Sequence, residues 1–218
     1  TIMNSGEGLV FAGILVMILF GIMVGTVNAT IIVLGKMNAL IATYGMSIVL
    51  QGVALIISPR PLSPSPDIFK NIIRTTVLGL PLILYIGLFL VFLFTLILKY
   101  TPLGRRIYAV GENSTAALWS GLSVKPTKFF AFIACSVMAI MGSLFMLGRS
   151  GAAESSVTIQ NNLDSIAYAL IGGGSFTGGK GSIGGSVLSI LTVTILMNIL
   201  GAKAVSYTHL TLPTKRIV

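Results

Sequence analysis

The stretch GGGSFTGGKGSIGG, residues 172–185, carries eight glycines and one lysine, the composition of a loop that cradles a phosphate in backbone N–H groups. From Gly174 it reads G-S-F-T-G-G-K-G. Gly181 stands where the P-loop pattern G-x-x-x-x-G-K-[ST] has its magnesium-binding hydroxyl, and Ser182 comes one position late. A phosphate loop also follows a strand and opens a solvated helix, whereas residues 166–171 and 183–200 on either side are apolar and helix-like. The stretch is therefore read as a turn that lets two helices approach and reverse. Gly174/Gly178 and Gly181/Gly185 have small-xxx-small spacing, Gly179 lies between them, and Lys180 anchors the turn at the lipid headgroups.

Other reactive groups are sparse. The five acids, Glu7, Asp67, Glu112, Glu154 and Asp164, fall in loops or at the edges of apolar runs. A carrier driven by protons or sodium keeps carboxylates or histidines inside the membrane, and these runs hold no titratable acid. The single histidine, His209, has no partner for a metal or a proton relay, and the single cysteine, Cys135, sits in an apolar run where it can form no internal disulfide. Without a Ser/His pair, paired carboxylates or a His/Glu metal set in the runs, no intramembrane enzyme is expected, nor any cofactor or metal held by this chain. If the protein pumps a solute, the energy arrives from outside, through a loop.

The positioning elements follow from composition. Charged residues make up 9% and hydrophobic residues 55% of the 218 residues, and the mean hydropathy is +0.99, which a soluble domain could carry only by exposing a large apolar surface. Uncharged runs cover residues 8–35, 37–59, 75–98, 129–148 and 181–202, each near or above the roughly 20 residues that cross a bilayer as helix. A sixth run, 165–179, is shorter and ends in glycines, so it is expected to be a short or broken span. The reading is an all-α integral membrane protein with about six spans, in contact with lipid. The net charge of +9 lies dispersed between the runs rather than on one basic face with aromatics, which excludes a nucleic-acid partner.

Basic residues orient the spans. Lys36, Lys99, Arg105, Arg106, Lys125, Lys128 and Lys180 fall on one side, against Arg60, Lys70, Arg74 and Arg149 on the other, so the first side is read as cytoplasmic. On the outer side SPRPLSPSP, residues 58–66, is expected to be an extended, polyproline-like connector with Arg60 as a candidate contact for an acidic partner. Residues 99–128 form the longest cytoplasmic loop. Pro102 and Gly104 are expected to end the preceding helix, Asn113 or Ser114 to cap a short helix through Ser120, and Gly121 to end it. Such a helix between two spans is a lever.

LGRRIYAVGENSTAALWSGLSVKPTK in this loop resembles the coupling loop of the ribose-type permeases of ATP-binding-cassette importers, through Leu103, Gly104, Arg105, Tyr108, Ala109, Gly111, Asn113, Ala116, Ala117 and Gly121. LDSIAYALIGGGSFTGGKGSIGG and GTVNATIIVLGKMNALIATYGM are similar to two further segments of that family, in the same order. Ala29, Ala39 and Tyr44 depart from its glycine, proline and leucine, which bears on the identity of the solute. The resemblance implies a permease subunit, no enzyme itself, that pairs with a second permease copy or homologue in a bacterial plasma membrane. It implies a sugar received from an extracytoplasmic binding protein and a push from cytoplasmic ATP-binding subunits, which hold ATP and magnesium. Glu112 and Asn113 would meet the ATPase, Ala116 and Ala117 would form the close-packing face, and Gly111 and Gly121 would bound the lever.

Other cargoes of such importers, a nucleoside, an autoinducer-type furanose or a branched-chain amino acid, remain alternatives, as do an ATP-independent carrier and a structural membrane protein. Against the family pattern, residues 1–205 are expected to be a permease domain lacking its first spans and its last one. Residues 206–218, from the tail SYTHLTLPTKRIV, resemble translated adapter read-through and are expected to be a non-native, loosely ordered end.

Overall fold

The computed structural model describes residues 7–60, 75–77, 79–153 and 158–210, almost all of them helical. Helix α1, Glu7–Val33, is followed by α2, Ala39–Ile57. Asn38 starts α2 by accepting a hydrogen bond from the Leu40 N–H at 2.9 Å, and the helix stops at Ser58, just before Pro59. The outer connector lies outside the described residues from position 61 onward.

The apolar run at 75–98 does not form helix throughout. Thr76–Val77 (β1) pairs antiparallel with Leu80–Pro81 (β2) around Gly79, whose φ of +81° suits glycine. Pro81 then leads into α3, Leu82–Tyr100. Its 19 residues still reach about 28 Å at about 1.5 Å per residue. Next come α4, Pro102–Glu112, α5, Ser114–Trp119, α6, Val124–Ser150, α7, Thr158–Ile171, and α8, Ile183–Leu210.

Among the described residues, five helices are long and apolar enough to cross a membrane: Val10–Val33, Ala39–Ile57, Leu82–Tyr100, Val124–Ser150 and Ile183–Gly201. The expected short sixth span is α7, displaced toward the N-terminus. It begins before residue 165 and stops at Ile171, because the glycines do not continue it, and its 14 residues cover only about 21 Å. Helix α8 continues to Leu210, so the first residues of the tail expected to be loose, 206–210, are helical in backbone. Residues 211–218 lie outside the description.

Helices α1 and α6 form the main packing pair. A methyl group added at Gly25 would lie 2.8 Å from Ile133 Cα and 3.1 Å from Phe132 O, and one added at Gly21 would lie 2.8 Å from Ile140 Cγ1. Ala29, one turn further along the same face, is wholly buried. Gly21, Gly25 and Ala29 thus form the small-residue ridge that lets two backbones meet in lipid. Fully buried residues are otherwise few among the described ones, and α3 has none: part of its apolar surface is half-buried against neighbouring helices and the rest, including Leu84, Leu88, Phe89 and Phe92, is exposed, as in a helix facing lipid or other spans.

Candidate functional site

The loop at 99–128 folds into two helices that meet at one residue. Pro102 does not end α3. Tyr100 does, Thr101 caps the next helix, and Pro102 occupies its first turn, where a missing N–H costs nothing. Gly104 is likewise internal to α4, pressed against the backbone of Leu98 so closely that no side chain fits.

Asn113 closes one helix and opens the other. Its N–H donates to the Ala109 carbonyl, ending α4, while its side-chain oxygen accepts from the N–H groups of Thr115 and Ala116, both at 3.0 Å, starting α5. The chain bends there because Asn113 has φ −150° and ψ 101°, outside the helical region. At the far end Gly121 (φ +80°) donates to the Leu118 carbonyl and Leu122 to that of Ala117, a Schellman stop.

Of the two alanines expected to pack, Ala117 is buried and Ala116 is exposed. Positions 116 and 117 lie about 100° apart around a helix, so one six-residue helix cannot bury both against the same neighbour. Its free surface carries Leu118, 60% exposed, and Trp119, 85% exposed.

The glycine turn packs directly on this bent pair. Ile171 ends α7, Gly173 (φ +90°) and Gly174 close its last carbonyls, and Ser182 caps α8 by accepting from the Gly185 N–H at 3.0 Å. The loop thus follows a helix instead of the strand that a phosphate loop requires. Between its ends, Gly178 (φ +89°) and Gly179 (φ +74°) lie on the last turn of α4: a methyl group on Gly111 would be 2.6 Å from the Gly179 nitrogen, and one on Gly179 would strike the backbone of Glu112. Tyr108 Oη donates to the Gly181 carbonyl at 3.0 Å, and Lys180 Nζ lies 3.9 Å from Glu112 Oε1.

Glu112 and Asn113 therefore have partners within this chain, one an ion pair and the other a cap. Gly174/Gly178 are not a helix-packing pair, since both lie in the loop. The close approach of α7 and α8 is made instead by Gly172, 2.5 Å from the Ser186 nitrogen once a methyl group is added, and by Gly185 against the Gly172 carbonyl. Ser189 Oγ donates to the Tyr168 carbonyl across the same pair. A methyl group added at Gly181, where φ is +145°, would meet only Gly174, at 3.4 Å.

The lysine matters least here. Both members of the Lys180–Glu112 pair are largely exposed, so the pair contributes about 0–1 kcal/mol. Lys180→Ala is expected to leave the melting temperature of the full-length protein within about 4 °C of wild type. A phosphate-binding lysine would behave differently, and ATP binding by the isolated protein that vanished with Lys180→Ala would refute the turn reading.

The family model for the permease component of branched-chain amino acid transport systems matches residues 1–218. The ribose import permease of Haemophilus influenzae is 32% identical over 209 residues, 94% of this chain and 65% of that protein. That of Escherichia coli K12 is 32% identical over 192 residues, 85% of this chain and 60% of that protein. The autoinducer 2 import system permease of Photorhabdus temperata is 28% identical over 202 residues, 89% of this chain and 61% of that protein. The chain spans less than two thirds of the length of each, and no solved structure matches it. With five span-length apolar helices among its described residues and a family match over its whole length, the chain is a multi-pass membrane protein that belongs to the branched-chain amino acid transport system permease-component family.

Proposed function

We propose that the chain belongs to a permease subunit of an ATP-binding-cassette importer in a bacterial plasma membrane. It passes a ribose-like monosaccharide inward from an extracytoplasmic binding protein. A second permease subunit completes the pathway, and separate ATPase subunits bind ATP and magnesium. The observation that carries this reading is the α4–α5 pair: a short capped helix, α5, bent out at Asn113 and showing Leu118 and Trp119, is joined at that residue to α4, whose last turn lies against the α7–α8 turn. The basic residues around it, Lys99, Arg105, Arg106, Lys125 and Lys128, support a cytoplasmic position for this end, since such residues are in excess on that side of membrane proteins. A partner that pushes on α5 would move the turn, and with the turn two spans, because Gly111 and Gly179 meet backbone to backbone and leave no slack.

Large exposed aromatic residues in a small patch are the usual anchors of an interface. Trp119→Ala in the full-length permease is expected to lower ATP-dependent uptake about tenfold or more, since anchors of this kind contribute about 2 kcal/mol or more, while membrane insertion and melting temperature stay unchanged. Uptake of labelled ribose and binding of the ATPase subunits in detergent measure it. Wild-type uptake by Trp119→Ala would remove α5 as the contact. The similarity to autoinducer 2 permeases favours a second cargo, a furanose-type signal, which competition between the two solutes for uptake separates.

A further inference from the structure

Asn28 lies in the last turns of α1, only 9% exposed, and its Oδ1 is buried with no hydrogen-bond partner among the described residues. An unpaired amide is disfavoured in any interior and more so at membrane depth, where bulk water cannot substitute. A residue of this kind within a span marks a site where something else supplies the partner.

Asn28 borders an open cleft of about 610 Å³ between α1, α2, α6 and α7, within the range of about 300–1,000 Å³ usual for small-molecule sites. Thr43 and Tyr44 of α2, Ser136 of α6, and Asn162 and Ser165 of α7 add hydroxyl and amide groups to its apolar walls. Among the described residues, the only charged one on those walls is Lys180, which is paired with Glu112. Neutral donors and acceptors among apolar surfaces suit an uncharged molecule carrying several hydroxyls. A zwitterionic amino acid would meet no carboxylate there for its ammonium group. The α7–α8 turn supplies Gly174, Ser175 and Lys180 to the same walls, so a push on α5 through Gly111 and Gly179 also reshapes the cleft.

We propose that Asn28 contacts the permeating solute, its amide exchanging hydrogen bonds with a hydroxyl of a neutral polyhydroxylated molecule held in this cleft. This inference rests on the permease reading above and assigns the residue and place of contact within it. The amide can both accept from a hydroxyl through Oδ1 and donate to one through Nδ2. Without solute it is left wanting, which favours occupancy during passage and penalises solutes that lack the hydroxyl.

The test uses the full-length permease with its ATPase and binding protein in proteoliposomes, with labelled ribose as probe. Asn28→Leu keeps the branched shape of the side chain and removes the polar group. Uptake at saturating ribose is expected to fall about tenfold, the effect of losing one well-made hydrogen bond, while the melting temperature stays level or rises because no orphaned amide remains. Cys135 also lines the cleft and gives a second readout on the wild-type protein: its labelling by a small water-soluble thiol reagent should be slowed by ribose.

Wild-type uptake by Asn28→Leu, or a parallel loss of uptake and melting temperature, would overturn the contact and leave the permease reading standing. Cys135 labelling indifferent to ribose would overturn it as well. Failure of the wild-type assembly to take up ribose with ATP would instead overturn the permease reading for this sugar, and the present inference with it.

Discussion

Gly179→Ala is expected to lower the stability of the full-length protein by about 2–5 kcal/mol and to abolish the ATP-driven uptake proposed for it. Two costs add. The backbone at Gly179 has φ +74°, a left-handed conformation that costs a residue with a β-carbon about 1–2 kcal/mol. The new methyl group would also strike the backbone nitrogen and Cα of Glu112, and overpacking of this kind costs about 1–3 kcal/mol. Neither side can give way easily, because Asn113 pins the end of α4 and Tyr108 ties α4 to Gly181.

Gly121→Ala separates the two costs. Gly121 has a similar φ of +80° and open space around its Cα, so only the conformational part should appear. Thermal unfolding of both variants reads the difference. Equal shifts for the two would mean that the contact between α4 and the α7–α8 turn is not tight in the working protein, and the transmission route through Gly111 would fall.

The second large effect is expected in the α1–α6 pair. Gly25→Ala should sharply reduce the yield of folded protein, because the added carbon would lie 2.8 Å from the Cα of Ile133, and only separation of the two helices relieves it. In lipid the helices gain little from burying apolar surface as such, so their association depends on close packing that separation forfeits. Gly21→Ala meets the side chain of Ile140 instead, which can rotate, and should be milder. Gly45→Ala on α2 meets nothing within 4 Å and should be neutral. The yield of monodisperse protein in detergent gives the order, and equal behaviour of Gly25→Ala and Gly45→Ala would contradict the packing described.

Much of the architecture was legible beforehand because it depends on local chemistry. A bilayer-length apolar run must satisfy its backbone within itself, so five spans follow from hydropathy. The cap at Asn113 and the stop at Gly121 depend on residues two to five positions away, and both fall where the side-chain chemistry places them. The same local reasoning went astray where a residue has two uses. Pro102 can end one helix or begin the next, and the apolar residues 75–81 can start a span or form a hairpin before it. The choice was made by Thr101 as a cap and by Pro81 as a boundary.

The glycines show what local reasoning cannot reach. Spacing alone marks Gly174/Gly178 and Gly21/Gly25 equally, yet the first pair lies in a loop and the second is the ridge on which α1 meets α6. A glycine has no side chain to declare its partner. Whether its bareness serves a turn, a helix contact or nothing depends on which backbone lies opposite, and that backbone comes from far along the chain, as Gly179 does for Gly111. Asn28 is similar: its type announces a polar group on an apolar helix, but only the arrangement of four helices leaves its oxygen unpaired beside a cleft lined with hydroxyls. The sequence by itself determined which segments are apolar enough to enter the membrane and where the α4–α5 bend is capped, since hydropathy and capping act between near neighbours. The tertiary structure decided what the end of α4 packs against and which polar group borders the cleft, since both depend on contacts that no short stretch of sequence contains.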